Sequence, residues 1–176
     1  MLQLESHAKR IAALHQVRVE RGPERLLARL KRNQEVIRES HASIVKAMRR
    51  RRHVAPAAEW LLDNYYLIDE QIRLALTHLP RSYSRELPRL SEGPYQGLPR
   101  VYDLILQLVS HTDGRVDSEN LSRFIAAYQS VNALTLGELW AVPIMLRLTL
   151  IEAGCNNASL AKCPVYSRTL TPATAY

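Results

Sequence analysis

Cysteine, glycine and phenylalanine are scarce in this 176-residue chain, which contains two, six and one of them. The cysteines, Cys155 and Cys163, have no histidine nearby in the sequence, so neither a disulfide framework nor a zinc site is indicated. A reducing compartment, the cytoplasm, is therefore expected. Because glycine is rare while leucine, alanine, arginine and glutamate recur, the composition favours helices over strands.

Long hydrophobic runs are also absent. The most apolar segment, residues 134–151, contains Glu138 and Arg147, and no apolar stretch follows a basic N-terminal segment. Such a pattern is typical of a helix in a protein core rather than of a membrane span or a secretion signal. We therefore expect no transmembrane segment.

Positive charge is concentrated in the first third of the chain. The net charge is +7, and residues 1–53 carry fourteen Lys or Arg against five Asp or Glu. This asymmetry indicates an acidic partner for that third, which can be nucleic acid, an anionic lipid surface or an acidic protein face.

The densest positive charge is a candidate patch for that partner, formed by Lys46, Arg49, Arg50, Arg51 and Arg52. It can engage phosphates, but no aromatic residues alternate with it to stack on bases. An acidic protein surface is thus favoured over nucleic acid. The alternative function is a small basic helical protein that binds nucleic acid or anionic lipid through residues 46–53.

Apolar residues recur at helical spacing through most of the chain. They predict an all-α fold, a bundle of about six helices over residues 3–16, 23–52, 56–79, 101–109, 117–128 and 135–152. Thr135 and Glu138 form a capping box at the start of the last helix. Aromatic residues at this spacing are expected in the core, namely Trp60, Tyr65, Tyr102, Phe124, Tyr128 and Trp140.

The segments between and after these helices differ in character. Residues 80–100 hold four prolines among charged residues, which predicts an ordered connection over the helices. No acidic residue follows Glu152, and residues 154–176 are predicted to be a disordered tail, unrelated to what precedes it. The predicted organisation is an N-terminal helix and linker over residues 1–22, a helical domain over 23–153, and this tail.

Groups of potentially reactive side chains have simpler structural interpretations. Glu59, Asp63 and Glu70 share a helix face and resemble a glycosidase acid–base pair, but exposed helix faces commonly carry such carboxylates. The run from Ser110 to Asp113 contains a nucleophile, a base and an acid, but triads assemble in space rather than along four consecutive residues. Six scattered histidines lack metal-ligand spacing. No catalytic residue, metal or cofactor is predicted.

Several motifs occur together in a recognisable order. They are EWLLDNY at residues 59–65, RELPRL at 85–90, PRVY at 99–102, HTD at 111–113 and LTLGELWA at 134–141. From about residue 24 to 152 the chain resembles the N-terminal region of bacterial cyclic β-1,2-glucan synthases. The resemblance ends after Glu152, as expected of a truncated or frameshifted piece.

The resemblance implies a context rather than a catalytic site. In that family a large inner-membrane protein polymerises glucose from UDP-glucose, and its catalytic parts lie further along the chain. It therefore implies a non-catalytic helical scaffold at the cytoplasmic face of the bacterial inner membrane, with the remaining synthase domains as partners. Arg85, Glu86 and Arg89, in the charged connection, are predicted to contact another part of the parent enzyme or a ligand.

Overall fold

The computed structural model describes residues 2–50, 54–79 and 81–161. Within these ranges it contains seven helices and two short strands. The helices are α1 (Leu2–Leu14), α2 (Leu26–Arg49), α3 (Pro56–His78), α4 (Arg81–Glu86), α5 (Arg100–His111), α6 (Ser118–Gln129) and α7 (Leu136–Ala161), and the strands are β1 (Val17–Arg18) and β2 (Arg89–Leu90). The predicted all-α fold is confirmed.

Local signals place several of the helix starts. Pro56 lies in the first turn of α3, where the missing N–H costs nothing. The Asp117 carboxylate accepts a 2.7 Å hydrogen bond from the Asn120 amide and caps α6. The start of α2 differs from the prediction, since the helix begins at Leu26 rather than Pro23. There the Glu24 carboxylate accepts a 2.9 Å hydrogen bond from the backbone amide of Leu27 in the first turn of the helix.

The last helix is longer than predicted. It continues past Glu152 to Ala161, so the first part of the segment predicted to be disordered is helical. Cys155 explains the difference: it follows Ile151 at helical spacing, is buried, and its thiol donates to the Asn33 carbonyl of α2 at 3.2 Å. The rest of the predicted tail, residues 162–176, lies outside the described residues.

α5 connects the two cores of the bundle, because it is buried from two sides. Val101, Tyr102 and Ile105 pack in a core with α2, α3 and α7, while Leu104 and Leu108 pack with α1 and α6. Full burial of one such aliphatic side chain contributes roughly 1.5–3 kcal/mol. The two cores meet at α5, and α7 packs against α2, α3 and α5.

The predicted ordered connection is confirmed for residues 81–100, and it contains the short helix α4 and the strand β2. β2 pairs antiparallel with β1, with Val17 opposite Leu90 and Arg18 opposite Arg89. The Ser91 amide also donates to the Gln16 carbonyl at 2.9 Å. This two-stranded ribbon fixes the segment after α1 against the connection that precedes α5.

Candidate functional site

Three charged residues of the connection, Arg85, Glu86 and Arg89, are predicted to contact another part of the enzyme or a ligand, and only the first two are exposed. Arg85 and Glu86 face solvent, and Arg21 donates to Glu86 at 2.5 Å in an ion pair whose side chains are 73% and 53% exposed. Such exposed pairs contribute about 0–1 kcal/mol. The Arg85 Nε donates to the Gly22 carbonyl at 3.2 Å. Both side chains remain accessible to another molecule.

Arg89 points into the domain instead. It is 6% exposed, and its guanidinium donates to the carbonyls of Gly97 at 2.6 Å and Ser84 at 2.9 Å. Burial lowers the pKa of Arg89, and the nearby positive charges of Arg25 and Arg85 add to this effect, whereas Glu24 opposes it. Arg89 therefore holds the loop together and is not part of its outer surface.

A buried ion pair joins the start of α5 to the start of α7. Arg100 is 5% exposed and Glu138 is fully buried. The guanidinium donates to both carboxylate oxygens, at 2.6 and 2.8 Å, and its remaining donors reach Asn132 Oδ1 and the Ala133 carbonyl, each at 2.7 Å. Burial alone lowers the pKa of Arg100, but the bonds to Glu138 outweigh it and raise that pKa.

The same carboxylate completes the predicted capping box, which is confirmed. Glu138 Oε2 accepts from the Thr135 amide at 2.8 Å, and Thr135 Oγ1 accepts from the Glu138 amide at 3.3 Å. Glu138 thus satisfies the free end of α7 and anchors α5 in one side chain. Sequence reasoning identified the cap but not the arginine that neutralises its charge.

Two further groups of polar contacts connect the helices. Arg29 of α2 and Tyr102 of α5 both donate to Glu152 of α7. Burial, followed by the bond to Glu152, raises the pKa of Tyr102, which therefore stays protonated. His15 bridges Asp103 at 2.9 Å and the Tyr128 hydroxyl at 2.8 Å. These contacts position helices rather than gather reactive groups around an open cavity.

An apolar groove runs along the outer side of α3 and α7. Its cavity of about 370 Å³ is lined by one helical stripe of α3 that includes Trp60 and Leu67, and by a stripe of α7 that includes Pro143 and Leu150. Trp60 is 50% exposed. At one wall the Arg147 Nε donates to Gln71 Oε1 at 3.1 Å.

The prediction that all six aromatic residues lie in the core is wrong for two of them. Tyr102, Phe124 and Tyr128 are buried, but Trp60 is half exposed and Trp140 is 74% exposed. Leu136 and Trp140 continue the α7 stripe beyond the groove at helical spacing. Apolar residues surround α7, a pattern typical of a helix that is covered on all sides.

The other predicted sites remain separate on the surface. Glu59, Asp63 and Glu70 are exposed, as expected of a solvated helix face. His111 stacks on His7 with ring centroids 5.1 Å apart, and the Thr112 hydroxyl donates to the Leu108 carbonyl at 2.9 Å at the end of α5. Within the described ranges no group of three or more His, Cys, Asp or Glu residues could hold a metal ion.

The basic patch lies at the C-terminal end of α2. Lys46 and Arg49 belong to the last turn, where positive charge complements the helix dipole, and both are exposed together with Arg50. Arg51 and Arg52 lie outside the described residues.

These contacts define an all-helical domain whose buried charges join its own helices and whose α3–α7 side is apolar. No protein-family model matches the chain. The chain is 39% identical over 99 residues to a protein of Rhizobium meliloti (strain 1021), the cyclic beta-(1,2)-glucan synthase NdvB. This stretch covers 56% of the chain and 4% of that relative.

The predicted resemblance is confirmed, because the chain is homologous to a segment of a cyclic β-1,2-glucan synthase. The aligned stretch is shorter than the range from about residue 24 to 152 that the motifs suggested. The chain spans a small fraction of the relative's length. Among the described residues, no helix combines the length and apolar character needed to cross a bilayer.

Proposed function

We propose that this chain is a non-catalytic helical scaffold of a cyclic β-1,2-glucan synthase, which packs against other parts of that enzyme at the cytoplasmic face of the membrane. The homology to a synthase segment supports the context. The observation that carries the scaffold role is the apolar α3–α7 side, which exposes Trp60, Leu67, Leu136 and Trp140. A large exposed apolar surface is typical of a face that another protein covers.

The partner in this proposal is the remainder of a synthase. The aligned stretch corresponds to 4% of the relative, so most of such an enzyme lies outside the matched segment. Arg100 and Glu138 are paired inside the domain, which supports a structural rather than a catalytic role for these two charged residues. Arg85 and Glu86 lie exposed at the end of α4 and provide polar contacts to the same partner.

A first experiment tests the absence of catalysis. The purified chain is incubated with UDP-glucose labelled in the sugar, and separately with β-1,2-glucan, and the products are separated by chromatography. The proposal predicts neither incorporation of label nor release of sugar. Turnover that is lost in Asp63→Asn would contradict it and would favour an enzyme built on the exposed α3 carboxylates.

A second experiment tests the packing surface. A synthase from which the homologous segment has been deleted is titrated with the purified chain, and binding is measured by calorimetry. Trp60→Ser should weaken binding by about 2 kcal/mol, roughly thirtyfold, as expected for an aromatic anchor in an interface. Val131→Ser is the matched control, because Val131 is 51% exposed but does not line the groove. Equal affinities of the two variants would contradict the proposed surface.

A further inference from the structure

Part of the basic N-terminal third forms a pocket of its own. A cavity of about 430 Å³ lies between the loop that follows β1 and the loop that follows β2, and its lining includes Arg18, Arg21, Arg25 and Arg89 but only one acidic residue, Glu20. Concave surfaces that carry one sign of charge concentrate ligands of the opposite sign. This pocket shares no lining residue with the α3–α7 groove.

The backbone holds these like charges close together. Arg18 and Arg89 are direct partners in the β1–β2 pairing, and like charges in opposing positions of a sheet destabilise it. The Gly22 amide donates to the Arg85 carbonyl at 3.4 Å, which brings the loop against the connection. The fold therefore tolerates an unfavourable arrangement of arginines that a bound anion would relieve.

The existing contacts leave most of this charge uncompensated. Glu86 pairs with Arg21, but Arg25 donates to the Gln96 carbonyl at 3.1 Å and Arg89 donates only to carbonyls. Carbonyl groups satisfy donors without neutralising them. The Arg18 side chain makes no hydrogen bond or ion pair with any other residue that the structure describes.

Arg89 gives a second, independent indication. Its Nε is buried and has no hydrogen-bond partner within the described ranges, and buried polar groups without a partner are uncommon in native proteins. The Gly22 backbone passes so close that a Cβ atom there would lie 2.6 Å from this Nε. A guanidinium is thus buried at the base of the pocket with hydrogen bonds to carbonyl groups but with no ion pair to a carboxylate among the described residues.

We propose that this pocket binds a small soluble anion that carries phosphate, such as a phosphate ester or a diphosphate. Convergent guanidinium groups match the multiple charge and the several acceptor oxygens of phosphate better than they match a single carboxylate. The cavity has the size of small-molecule sites. The proposal goes beyond the scaffold role and does not depend on it.

The test uses inorganic pyrophosphate as the probe and the full chain at low ionic strength, with binding measured by calorimetry. Arg18→Gln removes a side chain without partners and should weaken binding about tenfold, as loss of a charge-assisted bond does. Arg115→Gln is the matched control, because Arg115 is exposed in the loop between α5 and α6. It removes the same charge and should change the affinity less than about twofold if only weak long-range charge effects remain.

Three outcomes would overturn the proposal. The first is no binding of pyrophosphate up to about 10 mM, beyond the weak end of ordinary affinities. The second is equal weakening by Arg18→Gln and Arg115→Gln, which would indicate a nonspecific charge effect. The third is retention on phosphatidylglycerol vesicles without binding of pyrophosphate, which would assign the positive charge to a lipid surface rather than to the pocket. Circular dichroism of both variants confirms that each is folded.

Discussion

Replacement of Arg100 by methionine should be among the most destabilising single changes in this chain. It removes four hydrogen bonds and leaves the Glu138 carboxylate, which is fully buried, without a counter-charge. Loss of one partner of a buried ion pair costs about 3–5 kcal/mol. Because Thr135 still donates to Glu138, we expect the lower end, about 3 kcal/mol, or roughly 6–12 °C in melting temperature.

The assay is urea unfolding at pH 7, followed by circular dichroism at a helical wavelength. Arg38→Met is the control, because Arg38 forms an exposed pair with Glu35 on α2, and its loss should leave the stability nearly unchanged, since solvent screens such pairs. The double variant Arg100→Met with Glu138→Gln should be more stable than the sum of the single losses predicts, since the neutral amide no longer buries a charge.

Two results would refute this reasoning. A loss below about 1 kcal/mol for Arg100→Met would mean that the buried pair does not contribute as its contacts indicate. Additive losses in the double variant would mean that Arg100 and Glu138 act independently. Either result would also weaken the role assigned to this ion pair in joining the start of α5 to the start of α7.

Three further predictions concern other parts of the structure. Gly22→Ala should cost roughly 1–3 kcal/mol in urea unfolding, because the added methyl group displaces the buried Arg89 side chain; a loss below about 0.5 kcal/mol would contradict it. Burial lowers the pKa of His7, so the unfolded chain binds protons more readily than the folded one. The free energy of unfolding should therefore decrease as the pH is lowered from about 7 to 5. His7→Gln should reduce this decrease, and an unchanged pH profile in that variant would contradict the prediction. Burial raises the pKa of Cys155 to about 12, so the Cys163→Ser variant should react with a thiol reagent at neutral pH only on unfolding, and rapid labelling of the folded protein would disprove this.

Local sequence signals predicted the helices well because the cause of each lies within a few residues. Pro56, Asp117 and the Thr135–Glu138 box mark helix starts through bonds over one turn. The end of α7 escaped prediction because its cause is distant. Cys155 lies against α2, more than 120 residues earlier, and composition after Glu152 gives no sign of that contact.

The roles of individual charged and aromatic residues depended on tertiary contacts. Arg85 and Arg89 are four residues apart in one charged loop, yet only Arg89 is buried, because the ribbon formed with β1 places it beneath Gly22. Arg100 beside an apolar run was a signal for a buried cation, but its partner Glu138 lies 38 residues away. The helical spacing of Trp60 suits a core residue. Only the packing of α3 on α7 shows that its side chain remains half exposed.

The most direct test of the scaffold proposal is the amount of cyclic β-1,2-glucan made by a chimeric synthase. In the chimera this chain replaces the homologous segment of the Rhizobium meliloti enzyme, and the product is measured in membranes supplied with UDP-glucose. The proposal predicts that the chimera makes cyclic glucan, that the deletion lacking the segment makes little, and that Trp60→Ser lowers the yield while Val131→Ser does not. A chimera present at normal levels that makes no more glucan than the deletion would contradict the central claim.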